Sequence, residues 1–281
     1  MLDVIKDAVI DILKLIPFLF LAFLILEYIE HKMSKKNTKY LVNNQKFGPL
    51  IGGVVGAFPQ CGFSAMVTRL FSSRVVTLGT LIAVYLSTSD EMLPILLSSG
   101  TNILIIIKII GIKLVTGIIF GYIIDLIYRK KIDYKHEIHD MCEHDDCHCE
   151  EGIIKSSIHH TLSIVFYLFI VTLTINILIY FIGEETISNF LKNSKGISYF
   201  VSSLIGLIPN CASSVIITEL YLSQMISLGA LLSGLLTGAG VGLLVLFKTN
   251  KNLKENITIL ITIYLIGVLC GFIIDLIGLT L

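Results

Sequence analysis

Gly56-Ala57-Phe58-Pro59-Gln60-Cys61 and Gly206-Leu207-Ile208-Pro209-Asn210-Cys211 decide the reading of this chain: a proline, an amide and a cysteine stand inside apolar sequence, twice, 150 residues apart. The offset holds outward from this pair. Gly56 to Glu91 and Gly206 to Val241 share 11 of 36 positions without a gap, among them Ser64/Ser214, Thr68/Thr218, Leu78-Gly79/Leu228-Gly229 and Leu86/Leu236. Gly117 to Ile127 and Gly267 to Ile277 share 7 of 11, including the string Ile-Ile-Asp-Leu-Ile. Duplicated halves in an apolar chain are a mark of membrane transporters.

Composition agrees. Hydrophobic residues make up 54 % of the 281 and charged residues 15 %, and the mean hydropathy is +0.86. That is more apolar surface than a soluble core of this size can bury, so the chain reads as an all-α polytopic membrane protein. The first apolar run, Val9 to Ile29, comes with Asp3, Asp7 and Asp11 and no small-residue cleavage site, and reads as a retained span rather than a signal peptide. Formal net charge is zero and no basic patch alternates with aromatics, so no nucleic-acid partner is expected. Of the six cysteines, three lie in or beside apolar segments and three in one loop with histidines, which is not a disulfide framework.

Full-length apolar stretches run over Val9–Ile29, Val75–Leu97, Ile103–Tyr128, Ile158–Ile182, Met225–Phe247 and Ile257–Leu279, each long enough to cross about 30 Å of hydrocarbon as a helix. Phe47–Phe71 and Ile197–Tyr221 differ, because Pro59 and Pro209 near their centres break the helix and leave broken spans or re-entrant hairpins. Lys32, Lys35, Lys36, Lys39 and Lys46 place the first loop in the cytoplasm, and Arg129, Lys130 and Lys131 place the central loop there. Lys248, Lys251 and Lys254 fall inside if the Gly183–Lys195 loop is outside, which requires an odd number of crossings per half. The expectation is two inverted-topology repeats with Pro-broken or re-entrant helices: residues 1–130, a cytoplasmic loop 131–156, and residues 157–281. Three crossings plus a hairpin per half fit the charges best, and five short crossings share the same parity.

Helix discontinuities expose backbone ends that carry partial charge, and transporters build substrate and ion sites from them. The candidate ion-binding set is Gln60, Cys61, Ser87, Thr88, Ser89, Asp90, Glu91, Asn210, Cys211 and Thr237, with Pro59 and Pro209 as the helix breaks. A single buried cysteine is usually an inert hydrophobe. Two at equivalent positions, each beside a proline and an amide, favour function. Ser87-Thr88-Ser89-Asp90-Glu91 interrupts an apolar run with two adjacent acids, which at membrane depth are kept for a cation, a proton or a counter-charge. Thr237-Gly238-Ala239-Gly240 stands at the same place in the second half without acids. Arg69 and Glu219 are equivalent positions of opposite charge, expected at the membrane interface. Asp125 and Asp275, near span ends, read as solvated caps. Gly117/Gly121 and Gly267/Gly271 have small-xxx-small spacing, which suits repeat packing or a homo-oligomer interface equally.

The central loop holds His136, His139, Cys142, His144, Cys147, His148 and Cys149 among many carboxylates. Thiols and imidazoles at this density suit Zn(II) and other borderline or soft cations, without the fixed spacing of a folded zinc module.

With the Pro-Gln-Cys-Gly corner, the Ser-Thr-Ser-Asp-Glu break, the duplicated halves and the His/Cys-rich loop, the chain resembles a ten-span heavy-metal exporter family variously labelled arsenic efflux or manganese transport. The resemblance covers nearly the whole chain and carries Gln60, Cys61, Asp90 and Glu91 over as candidates. The expected activity is secondary-active efflux of divalent or heavy-metal cations across the cell membrane, not enzymatic catalysis. No Walker or phosphorylation motif is present, so a proton or other ion gradient, or a separate energising subunit, supplies the energy. No organic cofactor is expected, and a transition-metal ion serves as substrate and as ligand of the loop. The partners are the bilayer, the metal and a coupling proton. A carrier of small anions or organic acids, a metal-sensing membrane protein and, more weakly, an intramembrane thiol enzyme are the alternatives.

Overall fold

Every regular element among the described residues is helical. A computed structural model describes residues 9, 10, 13, 16, 17, 20, 21 and 24, followed by 45–58, 61–89, 92–128, 153–182, 197–209 and 211–278. A 3-10 turn, Gln45–Phe47, leads into α1 (Gly48–Gly56), α2 (Cys61–Ser72), α3 (Leu78–Ser87), α4 (Met92–Ser98) and α5 (Ile103–Tyr128). The long α6 (Ile153–Ile182) is followed by α7 (Ser198–Gly206), α8 (Cys211–Leu222), α9 (Leu228–Thr237), α10 (Val241–Thr249) and α11 (Leu253–Ile277). The starts of α1, α2, α3 and α5 recur 150 residues later in α7, α8, α9 and α11, so the duplication seen in sequence is a duplication of elements.

At 9 and 12 residues, α1 and α2 are about 14 and 18 Å long, and neither crosses a bilayer alone. Their direction follows from what they touch. Gly48 abuts Thr80, Gly52 abuts Thr80 and Val84, and Gly56 abuts Val84 and Ser87, so α1 runs parallel to α3. The chain must therefore turn back along α2 before α3 begins, and α1–α2 is a hairpin. Ser202, Gly206, Gly234 and Thr237 make the same parallel register between α7 and α9. This register excludes a single broken span over either pair and makes each pair a helical hairpin.

The hairpin arms end alike. Arg74 and Gln224 adopt left-handed backbone, φ 61° and 57°. Arg74 N donates to Phe71 O and Val75 N to Leu70 O, while Gln224 N donates to Tyr221 O and Met225 N to Leu220 O. This pair of bonds closes a helix C-terminus and reverses the chain. Thr77 and Ser227 then cap the next helix by accepting from Thr80 N and Ala230 N, both at 3.1 Å.

Among the described residues, four stretches are long and apolar enough to cross a membrane: Leu78–Ser98, Ile103–Tyr128, Leu228–Thr249 and Leu253–Ile277. The first and third are the broken pairs α3–α4 and α9–α10. They are 75 % and 78 % buried, against 22 % and 44 % for the continuous helices α5 and α11. The interrupted helices are thus inside and the uninterrupted ones face outward, as expected where free backbone groups must be shielded from lipid. Leu126, Leu276 and Phe166 stand on the outer surface, where hydrocarbon rather than water would meet them.

Lipid is as apolar as leucine, so helices here associate by close contact rather than by escape from water. Gly79 and Gly121 let α3 and α5 cross at backbone distance, a Cβ on Gly121 falling 2.7 Å from Gly79 O; Gly271 meets Gly229 O at the same 2.7 Å. The small-xxx-small pairs therefore serve packing within each repeat.

The repeats are also interleaved. α2 lies against α10, with Ser72 Oγ 2.7 Å from Thr249 Oγ1 at one end and Thr68 near Gly242 at the other, so these two helices run in the same direction. One hydrophobic cluster joins Phe71, Leu81 and Tyr85 to Leu243, Leu246 and Ile263, and another joins Met92, Leu96 and Ile109 to Ile217 and Leu231.

Candidate functional site

α1 runs beside α3 and stops with Gly56 at the level of Ser87, where α3 ends. Gly206 stops against Thr237 in the same way. In each half the last residue of the first hairpin arm thus lies beside the end of the broken helix. Cys61 and Cys211 are the first residues of α2 and α8. Their side chains, and Pro59, Gln60, Asp90, Glu91 and Asn210, lie outside the described residues, as do all seven candidate ligands of the central loop, His136 to Cys149. Pro209 is described and half-buried in the turn before α8. Among the described residues, no group of three or more His, Cys, Asp or Glu gathers as a metal site.

The described part of the break is buried and hydroxyl-rich. Ser87, Thr88, Ser89 and Thr237 are at most 4 % exposed. Ser87 donates to Ala83 O at 2.8 Å, Thr88 to Val84 O at 2.8 Å and Ser89 to Ser87 O at 3.1 Å. Thr237 donates to Gly234 O at 2.9 Å and Ser203 O at 3.0 Å. Each hydroxyl spends its proton on a nearby carbonyl and leaves oxygen lone pairs as what it can still offer.

Lys113 joins the two halves. It is 1 % exposed, and its Nζ donates to Thr88 O and, at 2.7 Å, to Leu235 O. These carbonyls belong to the C-terminal turns of α3 and α9, which have no helical partner and carry the negative end of the helix dipole. One ammonium therefore binds the ends of both broken helices. Its counterpart in the second repeat is Ile263. Reading of motifs does not find Lys113, although a charge near the centre of the apolar run Ile103–Tyr128, away from Lys108 and Asp125 toward its ends, is the signal that would.

A second polar link crosses the same seam. Tyr85, fully buried, donates from its hydroxyl to Gly242 O at 3.0 Å and shares a 2.6 Å hydrogen bond with Thr68 Oγ1.

Asp125 corrects its reading as a solvated cap, whereas Asp275 is exposed and keeps it. Asp125 is 9 % exposed and reaches across to α3, accepting from Gly79 N at 2.8 Å and Thr77 Oγ1 at 2.7 Å. Asp275 accepts from Gly229 N at 2.9 Å and Ser227 Oγ at 2.7 Å. Both are caps, but of a neighbouring helix N-terminus. Arg69 is buried and Glu219 exposed.

The family model described as "Putative, 10TM heavy-metal exporter" matches residues 1–181 and 169–280. Neither the curated proteins nor the solved structures contain a match. Matched over nearly its whole length and built of apolar helices around two breaks, this multi-pass membrane protein belongs to that heavy-metal exporter family.

Proposed function

We propose that the protein is a secondary-active carrier that exports divalent or heavy-metal cations by alternating access, with its site where the two helix breaks and the two Pro-Gln/Asn-Cys tips converge. The observation that carries this reading is the shared junction: Thr88 and Leu235, one from each repeat, offer their carbonyls to a single ammonium. A site at the seam of two repeats is the arrangement from which one repeat can rock against the other.

The two halves cross the membrane with opposite sense in this proposal. Support comes from the parallel run of α2 and α10, since α2 returns toward the start of α3 whereas α10 leads away from α9. The ends at Gly48, Arg74, Tyr128 and Thr249 then share one side, which carries Lys46, Lys248, Lys251 and Lys254 and is assigned to the cytoplasm of the cell membrane. The central loop 131–156 falls on that side, and its His136, His139, Cys142, His144, Cys147, His148 and Cys149 collect metal for export. Gln60, Cys61, Asn210 and Cys211 supply amide and thiol ligands. Asp90 or Glu91 gives up a proton when the cation binds, which couples export to proton entry.

Proteoliposome flux of Mn(II), Zn(II), Cd(II) and arsenite, with and without a pH gradient, tests the proposal. Metal flux that persists when the loop is deleted and disappears in Asp90→Asn supports it. Wild-type protein that moves no metal, with binding confined to the loop, overturns it.

A further inference from the structure

Lys113 occupies a place that the chemistry around it suits to a mobile ion. In carriers built on broken helices, unwound carbonyls and half-helix C-termini coordinate the coupling or transported cation. Here the carbonyls of Thr88 and Leu235, at the ends of α3 and α9, hold the Lys113 ammonium. The hydroxyls of Ser87, Thr88, Ser89 and Thr237, at these same helix ends, all donate to backbone carbonyls. With their protons so used, these oxygens keep only acceptor lone pairs, which suit a cation and not an anion. An ammonium 1 % exposed among apolar helices is tolerated only where such oxygens replace its water.

We propose that Lys113 is a resident cation of this junction and a specificity-determining residue of transport: its ammonium fills a cation site that the metal cargo takes over by displacing it. This rests on the cation-carrier reading given above. The empty carrier is held closed by its own side chain, because one Nζ ties α3 of the first repeat to α9 of the second. A divalent ion, with twice the charge, displaces the ammonium where sodium and potassium do not. Selectivity against abundant monovalent cations then comes from competition with a tethered one. The asymmetry of the repeats fits, since Ile263 at the equivalent position supplies no second ammonium.

The test compares full-length wild type with Lys113→Ala. Methylammonium, the free equivalent of the missing group, raises the thermal unfolding temperature of Lys113→Ala in detergent and leaves wild type unchanged. In proteoliposomes the KM for Cd(II) falls by about tenfold in Lys113→Ala, a loss of competition of ordinary electrostatic size, while turnover drops because the cargo is no longer pushed out. Methylammonium raises that KM again. A Lys113→Ala protein that ignores methylammonium and keeps or raises its KM overturns the proposal and leaves Lys113 a packing residue. If Lys113→Ala does not fold, amine acetylation of wild type decides: saturating Cd(II) increases labelling of Lys113 if the ammonium is displaced, and unchanged labelling refutes displacement. Wild type that moves no metal, together with a Lys113→Ala protein stabilised by methylammonium, would overturn the metal-carrier reading and keep the cation site.

Discussion

Arg74 and Glu255 form a two-pronged ion pair, Nη1 to Oε1 at 2.6 Å and Nη2 to Oε2 at 2.8 Å, that ties the turn after α2 to the first turn of α11. The pair spans the two repeats at one end of the molecule only, since Gln224 and Ile105 stand at the symmetry-equivalent positions. Arg74 pays for its place with left-handed backbone at φ 61°, which costs a non-glycine residue about 1–2 kcal/mol. Glycine would avoid that cost and could not reach Glu255.

With side chains 21 % and 14 % exposed, this pair is more shielded than a surface salt bridge and should contribute more than the ~0–1 kcal/mol typical there. Glu255→Gln is expected to lower stability in detergent by about 1–3 kcal/mol. In a double-mutant cycle with Arg74→Gln, the coupling energy measured by denaturant unfolding should account for most of that loss, and a coupling near zero would show the pair to be idle.

Asp125 and Asp275 make the same two bonds, but Asp125 is buried and Asp275 exposed. Replacing each by alanine should cost about 1–2 kcal/mol, with Asp125 at the upper end because Gly79 N is left without water to turn to. Equal losses in unfolding experiments would contradict this difference in environment.

Gly79→Ala should abolish stable expression, because its Cβ would strike the Gly121 carbonyl and the Asp125 carboxylate, both fixed by packing. Gly111→Ala on the facing helix has nothing within 4 Å of the added methyl. It should be neutral or stabilising by up to about 1 kcal/mol through helix propensity. Size-exclusion profiles of the two variants distinguish close crossing from general glycine intolerance.

Tyr85→Phe removes one hydroxyl and leaves Gly242 O buried without that donor, for an expected loss of about 1–2 kcal/mol. The bond joins α3 to α10 across the seam, so this variant should also shift transport rate at saturating metal. Thr218→Val, a change at a hydroxyl bonded within its own helix to Ser214 O, provides the comparison that should not.

The duplication, the breaks and the interior hairpins are legible in sequence because each is written in residues with strong local effects: Pro59, Pro209 and the polar runs after Leu86 and Leu236. The return direction of α1–α2 is not, because a broken span and a hairpin place the same proline at the same point of the sequence. Only the contacts of Gly48 with Thr80 and Gly56 with Ser87 separate them. Asp125 is read as solvated since its partner Gly79 lies 46 positions away, beyond any local pattern. Lys113 is hidden by averaging, since α5 also carries Lys108 and Asp125 and its mostly apolar sequence does not say which charge is buried. Its role depends on Leu235, 122 positions away.

The interleaving of α2 with α10 also sets an order on biogenesis. When the first repeat leaves the ribosome, Thr68, Ser72 and Tyr85 have no Gly242 or Thr249 to meet, and the face of α2 that will receive α10 is bare. The first half must therefore wait in the membrane, incompletely folded, until the second is made. Neither half expressed alone should reach the native fold, whereas the two expressed as separate chains carry all the contacts needed to find one another.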